Sequence, residues 1–219
     1  RVIMAGAKHT ASTIEMMNAN KEVDVAVIDE IQMIADAYRG YAWTRAFLGI
    51  RCKEIHLCGG MEAEAIARKI AESCGDEFEL HKYERFADLT IASASIAETS
   101  GSKGSYRNVQ PGDCVVAFSK NDIFAIKREI EETTAHKCCV IYGTLPPETR
   151  TEQARRFNNP DSEYKVLVAS DAIGMGLNLN IRRIIFNSIY KSDGEAIVRL
   201  DHSSIKQISG RAGRRNSPF

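Results

Sequence analysis

Short apolar runs recur along the chain, each closed by a turn or by residues with helical spacing. VDVAVI (23–28), EIHLC (54–58), CVVAF (114–118), KCCVIY (137–142), KVLVA (165–169) and RIIFNSI (183–189) each read as a strand. Several are continuously apolar instead of alternating, the pattern of parallel strands covered on both faces. Between them, helical spacing predicts Glu62 to Cys74, stopped by Gly75, and Glu148 to Phe157, after the double proline of LPPE. A third helix, Asp122 to Glu132, follows Ser119, whose Ser-x-x-Asp spacing is that of a capping box. Strands that alternate with helices predict an α/β fold. Further on, RIIFNSIYKSDGEAIVRLD has strand-like runs on both sides of Asp193-Gly194, which predicts a β-hairpin.

The segment IASASIAETSGSKGSYRNVQPGD (91–113) is rich in Ser, Gly and Ala and poor in large apolar groups, so it reads as a linker. The expected organisation is two α/β lobes, 1–88 and 113–219, joined over 89–112. At 219 residues and 44% hydrophobic, the chain can bury such cores. Its 29 basic and 29 acidic groups balance, so a polyanionic partner would need a local basic surface. Residues 1–112 carry 13 basic and 16 acidic groups and residues 113–219 carry 16 and 13, which leans toward the second lobe as the phosphate anchor. The six cysteines form no CxxC pair and most lie in apolar runs, which points to a reducing compartment and no zinc site. No apolar run reaches 18 residues, the length that spans a membrane. The chain starts at Arg1, and VIMAGAKHT has no targeting pattern, so a fragment is expected.

Two stretches carry chemistry. In VAVIDEIQMI, Asp29 and Glu30 follow a strand, and open α/β sheets place ligands beyond the carboxyl ends of their strands. A strand-end Asp suits a nucleotide-bound Mg²⁺, which takes one or two carboxylates, and the adjacent Glu30 is placed to accept a proton from an attacking water. A solvated acidic turn is the plain alternative. In QISGRAGR (207–214), Gln207, Arg211 and Arg214 read as one short helical segment, with Gly210 and Gly213 allowing close backbone approach. Guanidinium groups stabilise a transferring γ-phosphoryl, and an arginine finger is worth about 10³–10⁵ in rate. The alternative there is a basic helix end on a solvated surface.

These motifs resemble those of superfamily-two helicases, whose two RecA-like lobes clamp ATP in the cleft between them. DEIQ (29–32) resembles the DExx box and QISGRAGR the last motif. HLCGG (56–60) resembles the motif that couples the lobes, CVVAFSKNDIF (114–124) the first motif of the second lobe, and ASDAIGMGLNLNIRRIIF (169–186) the fifth motif. With AVIDEIQMI, RGYAWTRAFLGI, PGDCVVAFSKNDI and VIYGTLPP added, the chain is similar over nearly its whole length to the mitochondrial RNA-degradosome helicases of the Suv-three type. The resemblance implies ATP and Mg²⁺ as cofactors, with Asp29 on the metal, Glu30 on the metal and its water, and Gln207, Arg211 and Arg214 near the phosphates. Gly176 and Asn178 would lie near the nucleotide sugar, although Asn178 stands where the wider superfamily commonly has Asp.

For RNA, the resemblance points to Thr13, Ser119, Lys120, Thr144 and Ser170 gripping sugar and phosphate. Ser and Thr at strand ends also serve as caps and turn formers, so each keeps that second reading. Trp43 can stack on a base, but it shares a helical face with Phe47 and Ile50, which favours the core.

No GxxxxGK[ST] phosphate loop is present, and SGSKGS (100–105) lacks its spacing. In the resembled family that loop precedes the DExx box. Two readings follow: part of an ATP-driven RNA helicase, inactive by itself, or a non-catalytic RNA-binding relic. The retained Asp29-Glu30 and Arg211-Arg214 pairs favour the first. The resemblance also implies a mitochondrial matrix location and an exoribonuclease partner, with RNA, single-stranded or partly duplex, as the main substrate and DNA left open.

Overall fold

A computed structural model describes residues 6–84, 88–99, 106–174 and 176–213. The chain divides into two compact units, Arg1–Tyr83 and Glu84–Phe219.

In the first unit, strand β1 (Glu22–Ile28) leads through a 3₁₀ turn, Ile31–Ala35, to helix α1 (Gly40–Gly49), strand β2 (Arg51–Leu57) and, after a second 3₁₀ turn, helix α2 (Glu64–Cys74). β1 and β2 pair in parallel, with Ala26 opposite Ile55 and Ile28 opposite Leu57. These four face the helices. The core adds Trp43, Ala46 and Phe47 from α1 and the stripe Ala67 and Ala71 from α2. Small alanines four apart let α2 lie close to the strands, and Gly75 ends the helix in the left-handed region at φ 77°. The continuous apolar run of β1 predicts cover on both faces; among the described residues Val25 and Val27 are 51% and 66% exposed. β2 begins three residues before its apolar stretch because its register with Glu22 and Val23 carries Arg51 and Cys52 into the ladder.

The second unit is built on a parallel four-stranded sheet. Helix α3 (Ile96–Thr99) precedes strand β3 (Asp113–Val116), helix α4 (Lys120–Thr133), strand β4 (Lys137–Ile141), helix α5 (Pro147–Asn158) and strand β5 (Tyr164–Ala169). Strand β6 (Arg183–Phe186), the antiparallel hairpin β7 (Tyr190–Ser192) and β8 (Ile197–Arg199), and helix α6 (His202–Ser209) complete it. The strand order is β4-β5-β3-β6.

Alternation along these strands makes two cores. Cys114, Val116, Cys139, Ile141, Leu167 and Ala169 face α5 and α6, whereas Val115, Cys138, Val140, Val166 and Val168 face Ile123, Ile126 and Ile130 of α4. Each fully buried isoleucine of α4 contributes about 1.5–3 kcal/mol.

Part of the expected linker belongs to this unit. Tyr106 and Val109 are 7% and 4% exposed and pack with α4, where these apolar groups find cover. RIIFNSI also divides: β6 ends at Phe186, and Tyr190 opens the hairpin, whose turn sets Gly194 at φ 107°.

Candidate functional site

In the first unit the site is a one-residue bulge just past the carboxyl end of β1. The Cys58 N–H donates to the Ile28 carbonyl at 2.9 Å, and the Cys58 carbonyl accepts from the Ile31 N–H at 2.9 Å. A regular parallel ladder would tie residues 28 and 30 to one partner; here the second bond falls on Ile31, so Asp29 and Glu30 together oppose Cys58 and the chain bulges by one residue. Glu30 takes φ 55° and ψ 45°, the only described non-glycine with positive φ, a conformation that persists where surroundings over-determine it.

Five hydrogen bonds among the described residues support that conformation. The Asp29 Oδ1 accepts the Glu30 N–H at 2.9 Å, and the Asp29 carbonyl accepts the Trp43 indole N–H at 2.9 Å. The Glu30 carbonyl accepts the Met33 N–H at 2.9 Å. Gln32 Nε2 donates to Glu30 Oε2 at 2.6 Å, while its Oε1 accepts the Gly60 N–H at 3.1 Å. A Cβ at Gly59 would come within 2.3 Å of Gln32 Oε1 and 2.9 Å of the Ile31 nitrogen, so the glycine permits the crossing. DEIQ and HLCGG are thus one structure.

Trp43 is core, as its shared face with Phe47 predicts, and it also touches the acidic turn. Thr13 is exposed at the start of the 3₁₀ turn Ile14–Met16, with no side-chain cap bond. Next to it, Arg39 donates to Glu15 at 2.7 Å and holds that carboxyl below its ordinary value.

In the second unit, Ser119, Lys120, Thr144 and Ser170 all follow the carboxyl ends of parallel strands and so lie at one end of the sheet. Ser119 is a cap: its Oγ accepts the Asp122 N–H at 3.0 Å. Ser170 is 8% exposed and its Oγ accepts the Ala172 N–H at 3.1 Å, closing a turn. Lys120 is exposed, with its ammonium 5.2 Å from the Tyr142 ring centroid, and Thr144 is exposed in a turn.

A cavity of about 360 Å³ at that end is lined by Gly143, Arg150, Asp171, Lys191, Ser204 and Gln207 among others. Arg150 donates to the Gly143 carbonyl at 2.8 Å, and Lys191 pairs with Asp171 at 3.3 Å. The buried Gln207 Nε2 has no hydrogen-bond partner among the described residues, so a polar group entering the cavity would find a donor there.

The expected helical segment 207–214 is shorter than predicted. α6 ends at Ser209, and Ala212 forms an isolated parallel bridge with Ile181, with Gly213 at φ 59°. Past Ser209 the chain tightens, with the Arg211 N–H donating to the Ile208 carbonyl and the Ala212 N–H to the Ser209 carbonyl, before Gly213 bonds Ile181, so Arg211 leaves the helix face. It is 5% exposed and donates to the carbonyls of Gly174 and Leu177. Arg214 lies outside the described residues.

Arg211 therefore clasps the loop that carries Gly176, at φ 72°, and the exposed Asn178. Asn158 holds the far side of the same loop, donating to the Asn178 carbonyl at 2.8 Å and accepting the Asn180 N–H at 2.9 Å. Asn158, Arg150 and Gln32 had no separate signal in the spacing, because each acts on a backbone group distant in sequence or hidden within a motif.

The donor set fits a hydrated Mg²⁺. Asp29 and Glu30 offer carboxylate oxygens, and among the described residues no group of three or more His, Cys, Asp or Glu forms a cage of its own. One or two carboxylates is what this ion takes beside phosphates and waters.

Comparison with known proteins adds to this geometry. The profile described as "DEXQ-box helicase domain of Suv3" matches residues 1–83, the extent of the first unit, and "Helicase conserved C-terminal domain" matches residues 102–216. The chain is 54% identical over 213 residues to the "ATP-dependent RNA helicase SUV3L, mitochondrial" of Oryza sativa subsp. japonica, covering 97% of this chain and 28% of that protein. It is 48% identical over 205 residues to the "ATP-dependent RNA helicase SUV3, mitochondrial" of Saccharomyces cerevisiae, covering 94% and 27%. The chain thus spans little more than a quarter of the length of these relatives. Among solved structures, S. cerevisiae Dbp5 bound to RNA and ADP BeF3 matches with a TM-score of 0.58 at 14% identity, over 88% of this chain and 51% of that one. That likeness is one of fold, the RecA-like α/β helicase core.

Proposed function

Because the chain belongs to the helicase conserved C-terminal domain family and carries a Suv3-type DEXQ-box helicase domain in residues 1–83, we propose that it serves in an ATP-dependent RNA helicase. That enzyme couples ATP hydrolysis to movement along RNA or its unwinding. The observation that carries the reading is the Asp29-Glu30 turn, two adjacent carboxylates presented beyond the end of β1 by hydrogen bonds from Trp43 and Gln32.

Asp29 and Glu30 would hold Mg²⁺, which would neutralise phosphate charge. Glu30 takes the proton of the attacking water, and Gln32 orients its carboxylate. Gln207, Arg211 and Arg214 serve the phosphates, with Arg211 also fixing the loop of Gly176 and Asn178, which serves the nucleotide sugar. Thr13, Ser119, Lys120, Thr144 and Ser170 bind the RNA backbone without reading sequence. The names of the relatives support a mitochondrial location for this chain. An exoribonuclease partner rests on the family resemblance.

In the full-length protein, Glu30→Gln abolishes ATP turnover and leaves ATP bound, since the amide keeps the shape but loses the base. Undiminished turnover in a steady-state phosphate-release assay would remove Glu30 from the chemistry.

A further inference from the structure

Asp29 and Glu30 have left the β-ladder, because Cys58 bonds the residues on either side of them. The Asp29 carbonyl lies on the side of β1 away from β2, where among the described residues no strand offers it an N–H, and a part-buried carbonyl needs a donor. Trp43, 4% exposed, has the complementary need, a buried indole N–H. The two satisfy each other at 2.9 Å across 14 residues of sequence.

Trp43 is delivered there by a close approach. A Cβ on Gly40 would lie 2.4 Å from the Ile34 carbonyl oxygen, so α1 starts hard against the 3₁₀ turn that follows Glu30. The Gly40 N–H donates to the Asp36 carbonyl at 2.9 Å, and Asp36 Oδ1 accepts the Tyr38 and Arg39 N–H groups at 2.9 and 2.7 Å. The Arg39 guanidinium lies 5.5 Å from the Trp43 ring centroid and is itself held by Glu15. The ring has little room to shift.

We propose that Trp43 is a positioning residue: its indole N–H, by holding the Asp29 carbonyl, keeps Glu30 in the left-handed conformation that presents its carboxylate. The hold engages main chain only and uses no carboxylate oxygen. It rests on the reading of Asp29 and Glu30 as the metal-holding and water-activating pair. Gln32 orients the Glu30 carboxylate; Trp43 fixes the backbone from which that side chain springs.

The test uses the full-length protein with saturating RNA, below the melting midpoint of every variant. Trp43→Phe removes the donor and keeps a ring. Replacing the Trp43 indole by benzothiophene, with sulfur in place of N–H, removes the donor at nearly constant shape. Both lower kcat on the order of tenfold, as expected for a displaced reacting group, while KM for ATP and the Kd for RNA stay within about twofold. Gly40→Ala, which pushes α1 away, gives the same pattern of kcat loss. Unchanged kcat in the benzothiophene protein overturns the proposal, and so does a parallel loss of kcat and ATP affinity. Should Trp43→Phe fail to fold, the isostere decides. Glu30→Gln, run beside them, separates the two readings. If it retains turnover, the carboxylate pair is misassigned and the proposal falls with it; if it is inactive while the isostere is unimpaired, only the role of Trp43 falls.

Discussion

Asp113 is fully buried at the start of β3, yet it is a charged group, and three donors account for it. Arg183 meets its two oxygens at 3.0 and 2.6 Å, and the Gln110 N–H adds a bond of 2.7 Å. The pairing raises the pKa of Arg183 above its ordinary value. Nothing in the spacing of Asp113 and Arg183 announces the pair, since it forms between neighbouring parallel strands whose residues lie 70 apart in the chain. Removing one member strands a buried carboxylate, so Arg183→Leu should cost about 3–5 kcal/mol, measured by urea unfolding. Adding Asp113→Asn should recover part of that loss. A single variant as stable as the parent would mean that water replaces the guanidinium.

At the level of elements, the apolar runs marked every strand of both parallel sheets, because a continuous run of Val, Ile and Cys has few other homes. Ends were less legible. β2 starts in polar residues that register alone brings into the sheet, and α6 stops before Arg211 because the chain tightens there into i→i−3 bonds and then joins Ile181. The acidic turn was legible as a pair of strand-end carboxylates but not as geometry. Its bulge is set by Cys58 and its hold by Trp43, 14 residues downstream.

Ser119 shows how one side chain keeps both of its readings. Its cap bond to the Asp122 N–H starts α4, so Ser119→Ala should lower stability by about 1 kcal/mol. Ser119→Asp keeps a capping oxygen and should restore it, while placing negative charge where an RNA phosphate is proposed to sit. Stability recovered together with weakened RNA binding in a filter assay supports both roles; stability recovered with RNA affinity intact leaves Ser119 a cap alone.

Across the whole molecule, the buried thiols give the chain an alkaline limit. Burial pushes Cys138 up to about 12 and Cys139 up to about 11, and raises Cys114 as well. The unfolded chain releases these protons near its ordinary thiol value of about 8.5, whereas the folded chain keeps them until the raised values are reached. Between those limits the native state binds more protons, so stability is fully present below the lower limit and falls as pH rises through the window. Urea midpoints in reducing buffer at about pH 8 and about pH 10.5 should therefore differ, with the lower midpoint at the higher pH. Equal midpoints would show that other titrations cancel the effect. The exposed Cys58 and Cys74 should be alkylated before the buried thiols.

The sequence contains one tryptophan, and it is the residue whose indole meets the Asp29 carbonyl. Tryptophan emission is therefore a local optical signal from the acidic turn of the first unit, whereas circular dichroism sums over the secondary structure of the whole chain.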